Sequence, residues 1–117
     1  MIRNVLNMDE LLAHVDGDRS LLKEIVGLFI EYCPILMTRL QDAIACCDAK
    51  EIERAAHSLK GSVGSFAAKA ALNSVLRLEQ IGKSALLADA PDAYAALDAE
   101  IDELKTTLFD ITMDEAA

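Results

Sequence analysis

Apolar residues return at steps of three and four over most of the chain, the spacing of one face of an α-helix. Leu22, Ile25, Val26, Phe29, Cys33, Leu36, Leu40, Ala43, Ile44 and Cys47 trace one long helix. Pro34 lies within it and, by removing a backbone hydrogen bond, predicts a bend. Asp48 followed by Glu51 reads as an N-cap and its return partner. They open a helix whose apolar line is Ile52, Ala55, Ala56, Leu59, Val63 and Phe66. A further line runs Leu72, Val75, Leu76, with Leu78 and Gly82 at its edge. Pro91 marks another helix start, ahead of Tyr94, Leu97, Ile101, Leu104, Leu108 and Ile111. Before all of these, Asn7 and Glu10 predict a short leading helix that ends near Val15 at the turn Asp16-Gly17-Asp18. The residues from Thr112 onward are expected to fray.

Four long amphipathic stretches with short connections predict an all-α protein: an antiparallel up-down four-helix bundle with a short extra N-terminal helix. One domain is expected over residues 1–117, with its core at about 8–111. One boundary lacks a local signal. From Phe66 to Leu72 no Gly or Pro stops a helix, and the break is placed near Ala67 because a helix running from about 49 to 83 would be too long for so small a bundle.

Composition sharpens this picture. Hydrophobic residues make up 53% of the 117 residues and aromatics only 4%, which supplies a core while favouring helix over sheet. A net charge of −9 repels phosphate backbones and anionic lipid, so nucleic-acid and membrane-surface binding are not expected. No uncharged stretch exceeds 8 residues, far short of a membrane span. The opening MIRNVLNMDE has no secretory core, so a cytoplasmic location is expected. Cys33, Cys46 and Cys47 are expected as buried or half-buried reduced thiols, without the spacing of a disulfide framework or a zinc site. A bundle that closes its own core is expected to be a monomer.

Three features are not explained by packing. Winding the helix around His57 at about 100° per residue sets the apolar line on one side. Glu53, His57, Lys60, Gly61 and Gly64 fall largely on the other. Each interior Gly costs about 0.8–1 kcal/mol relative to Ala, so two on one exposed face have no stability rationale. They clear a flat approach to His57, with Lys60 one turn away to balance arriving negative charge. An unprotonated imidazole is a nucleophile at neutral pH, and the set suits the holding of a phosphoryl group. Glu79 is the third feature: a carboxylate within an apolar line needs a partner. If its helix packs beside that of His57, it could accept a hydrogen bond from the Nδ1–H, fixing the tautomer and leaving Nε2 to attack. His14, by contrast, reads as a solvated surface residue.

The segment Ala56-His57-Ser58-Leu59-Lys60-Gly61-Ser62-Val63-Gly64-Ser65-Phe66 resembles the signature of histidine-containing phosphotransfer (HPt) domains of bacterial phosphorelays. Leu11-Leu12, Gly17-Asp18 and the line from Leu22 to Phe29 are similar to that family's opening, and Leu76-Arg77-Leu78-Glu79-Gln80-Ile81-Gly82 to its fourth-helix segment. The resemblance implies that His57 accepts a phosphoryl group from a receiver-domain aspartate and passes it to another. It implies that Lys60 screens the phosphoryl charge, that Gly61, Gly64 and Glu53 lie where partners dock, and that Glu79 orients the ring. Such a carrier has no ATP site and no cofactor of its own; Mg²⁺ is expected in the partner receiver. Response-regulator receivers are the implied partners, and a hybrid sensor kinase is another. The family often has Gly where this chain has Ala67, a departure that touches the helix boundary and not the chemistry.

Two other readings compete. A non-phosphorylated adaptor could dock receiver or kinase domains on the same face, although it would have no need of His57. A di-metal carboxylate bundle would need inward-facing Glu-x-x-His pairs on two helices, whereas Glu53 and His57 are four apart, single and outward-facing.

Overall fold

The computed structural model describes residues 11–116 except 12, 14, 65 and 67, with side chains described as far as residue 110. Four long helices follow one another: α1 (Arg19–Ala45), α2 (Ala49–Gly64), α3 (Lys69–Ser84) and α4 (Ala90–Ala116). A 3₁₀ turn over Leu87–Asp89 feeds directly into α4, and no strand occurs among the described residues. Each helix packs against two neighbours, α1 on α2 and α4, α3 on α2 and α4, closing a four-membered ring. Short connections make successive helices antiparallel, and the bundle measures 45 × 27 × 20 Å. Leu11 and Ala13 are helical ahead of the turn at Val15–Gly17, and both Leu11 and Val15 are buried in the core. The Asn7–Glu10 cap and His14 lie outside the described residues.

Local chemistry sets the helix starts. Asp18 caps α1, its side chain accepting from the Leu21 N–H at 3.0 Å. Asp48 caps α2, accepting from the Glu51 N–H at 3.1 Å. Arg39 donates to the Glu51 carboxylate at the same corner, tying α1 to the first turn of α2. Pro34 is exposed, and α1 continues through it without interruption.

The break between α2 and α3 comes from packing. Phe66 sits in the turn, 1% exposed, its ring edge-to-face on Phe29 with centroids 4.9 Å apart. Ala68, which precedes α3, is equally buried and offers no side-chain cap. Driving Phe66 and Ala68 into the core fixes the chain reversal where no Gly or Pro does; Ala67 itself is outside the described residues.

Three expectations are corrected. Cys47 is not on the α1 face, and neither Cys46 nor Cys47 is buried or half-buried; both are exposed. The reason is that α1 stops at Ala45 and Cys47 adopts φ +54, with the Asp48 N–H closing on the Ala43 carbonyl at 2.9 Å. This left-handed helix end carries both thiols into the connection. Met37, not Leu36, completes the core line of α1, and Leu36 packs at its margin. Leu76 is 41% exposed, because the buried line of α3 is Ala71, Val75, Leu78 and Gly82. The backbone of α4 is helical to Ala116, in a stretch that contains no Gly or Pro to stop it.

Candidate functional site

Residues three apart on a helix share a face, and α2 presents His57 and Lys60 in that relation. Neither would meet a partner without α3. The two helices approach closely at Gly82, where a Cβ would stand 2.6 Å from the Glu53 nitrogen and 2.8 Å from the Ala49 carbonyl oxygen. A side chain there would push α3 away. With none, Glu79, one turn earlier on α3, comes directly beneath the α2 face.

Glu79 is the one buried charged residue among those described, its side chain 7% exposed. Its Oε2 lies 2.9 Å from His57 Nδ1. Lys60 Nζ donates to Oε1 at 3.0 Å and to Oε2 at 3.3 Å. A carboxylate only accepts, so Nδ1 carries the proton, and in the neutral ring the lone pair is on Nε2. The hydrogen bonds from His57 and then Lys60 hold the Glu79 carboxyl below the usual carboxylate range, outweighing burial, which pushes it up; Lys83 adds a weaker attraction. Glu79 is therefore ionised wherever carboxylates ordinarily are, and stays so to lower pH. No buried side-chain nitrogen or oxygen among the described residues lacks a partner.

Above this buried anion the His57 side chain is 68% exposed. Gly61 and Gly64 both lie on the open side, where an added Cβ would meet nothing within 4 Å. Glu53 is half-buried one turn before His57, its backbone against Gly82. The structure thus brings His57, Lys60 and Glu79 into one bonded group, with the two glycines and Glu53 flanking it. Lys60, expected from sequence to balance negative charge arriving at His57, is paired with Glu79.

Two features were missed from sequence. Gly82 was placed at the edge of an apolar line, though a buried glycine three residues from the carboxylate was the available signal for a close crossing. The second is on α1. Leu21, Leu28, Tyr32 and Ile35 are 39–56% exposed and recur on one helical face, beside the buried line of Leu22, Val26, Phe29 and Cys33. A groove of about 260 Å³ runs between this face and α2, with Leu28, Tyr32, Gly61 and Ser62 among its walls. It reaches α2 at Gly61, one turn beyond His57. A helix apolar on two sides was the signal.

A family model for the Hpt domain matches residues 24–107, from early α1 into α4, and spans the whole of this site. The chain belongs to the Hpt domain family, the phosphocarrier modules of two-component phosphorelays that work with receiver domains. A search of curated proteins returned no match, and neither did a search of solved structures. No helix among the described residues is long and apolar enough to cross a membrane.

Proposed function

We propose that this chain is a phosphorelay intermediate in which His57 is the phosphoacceptor, taking a phosphoryl group from the aspartyl phosphate of one receiver domain and passing it to the aspartate of another. The observation that carries this reading is the exposed His57 ring with Nδ1 held by a buried carboxylate at 2.9 Å. That contact selects the tautomer whose Nε2 lone pair is free to attack phosphorus. Nε2 forms the new bond as the P–O bond to the aspartyl oxygen breaks, its electrons returning to the leaving carboxylate. Glu79 then faces a ring with positive charge, and Lys60 screens the transferred phosphoryl group.

This domain supplies the nucleophile and an unobstructed surface. Mg²⁺ in the receiver supplies most of the electrostatics of transfer. Gly61 and Gly64 let a receiver approach the ring, and the groove beside Gly61 gives its apolar side chains a seat. The chain acts as a single carrier domain in the cytoplasm, without an ATP site, either free-standing or as a module of a hybrid sensor kinase. Incubation with phosphorylated receiver domains is expected to place an acid-labile phosphoryl group on the wild type and none on His57→Gln. Label that persists in His57→Gln would overturn the assignment of the site.

A further inference from the structure

The charge of Glu79, and not merely its hydrogen bond, carries a consequence for the phosphorylated state. We propose that Glu79 is a positioning residue that sets the lifetime of the phosphohistidine by holding a proton on Nδ1 of His57, which keeps the ring a good leaving group. This rests on His57 being the phosphoacceptor. When the phosphoryl group leaves, the Nε2–P bond breaks and a P–O bond forms to an incoming receiver carboxylate or to water. The electron pair of the N–P bond returns to Nε2. If Nδ1 bears a proton, the ring departs as neutral imidazole; if it does not, it departs as the far more basic imidazolate. The 2.9 Å contact to Glu79 Oε2 holds that proton where it is needed in both directions, so none has to move during transfer.

The neighbouring charges support the same direction. Among the described residues, the groups that lower the Glu79 carboxyl are His57 and Lys60 from α2 and Lys83 from α3 itself. Lys60 now shares the carboxylate. A phosphoryl group on Nε2 offers Lys60 a second anion, and any part of Lys60 drawn to it leaves more of the Glu79 charge for the ring proton. A glutamine at this position could accept the same hydrogen bond and orient the ring equally, but it could not stabilise the cation.

The test loads wild type, Glu79→Gln and Glu79→Ala with phosphoramidate, a small donor that needs no receiver, using His57→Gln as the blank. Ring nitrogen NMR follows the Nδ1 proton against pH, and phosphorus NMR follows loss of the phosphoryl group. In Glu79→Gln the phosphorylated ring is expected to give up its Nδ1 proton about one pH unit lower, with neutral-pH loss slowed roughly tenfold. Glu79→Ala should match or exceed that change. Identical profiles for wild type and Glu79→Gln, with only Glu79→Ala altered, would reduce Glu79 to an orienting role and overturn the proposal. Should Glu79→Gln not fold, the wild type alone decides. Its folded phosphorylated ring must keep the Nδ1 proton to higher pH than the same protein in denaturant, and equal values overturn the proposal. Phosphoramidate label that is unchanged in His57→Gln would instead overturn the phosphoacceptor assignment itself.

Discussion

Two glycines near His57 face opposite fates because one looks outward and the other into a helix crossing. An added Cβ at Gly61 meets open space, whereas at Gly82 it meets α2 backbone at 2.6 Å. Gly61→Ala is therefore expected to raise stability by about 0.5–1 kcal/mol, the helix-propensity gain, while slowing transfer from receivers. Gly82→Ala is expected to lower stability by about 1–3 kcal/mol, because backbone cannot yield as a flexible side chain can. Urea unfolding beside a transfer assay checks both, and equal stability changes for the two would contradict the account. His57, Lys60 and the outward glycines were legible in sequence because their types and spacing have no use in a core. The Glu79 contact was legible only as a condition, since a carboxylate in an apolar line demands a partner but does not name it. Gly82 was not legible as the reason for that contact, because distance between helices is a property of two faces and the sequence displays them separately.

The helices themselves were read from period and caps; Asp48 caps as read, and Asp18, read only as a turn residue, caps the long helix that follows it. What escaped was set by contacts between elements. The turn after α2 depends on where Phe66 finds Phe29, and the line of α3 was misread by one step at Leu76 because three- and four-residue spacings admit two registers. The end of α1 makes a separate point. Cys47 holds φ +54 at the position after a helix where glycine is usually found, and its thiol is exposed. Nothing in the structure explains a side chain there. Cys47→Gly should remove the left-handed strain and stabilise the fold by about 1 kcal/mol, read as a higher denaturation midpoint with an unchanged slope. A lower midpoint would show that the Cys47 side chain contributes more than its backbone costs.

At the scale of the whole molecule, a closed ring of four helices buries one core and leaves a second apolar line on α1 unburied. Its exposure beside Gly61 suits it to the receiver contact proposed above, and its residues lie outside the buried core. Replacing Leu28 and Tyr32 together with Ser is expected to leave stability nearly unchanged while weakening receiver binding by tenfold or so, about the loss of one anchoring contact. Titration calorimetry with a receiver domain reads this directly, and unchanged affinity would move the docking surface elsewhere. The broad fold was legible because an acidic, alanine- and leucine-rich chain with four long periodic stretches has few other ways to bury them. The second apolar face of α1 was not, because it appears only once the core has taken its share of that helix. The most direct measurement of the central claim is a two-receiver chase: wild type and His57→Gln are each labelled from one phosphorylated receiver, purified, and offered to a second. The account predicts that label passes through the wild type to the second receiver and is absent at every stage with His57→Gln; passage through His57→Gln would contradict it.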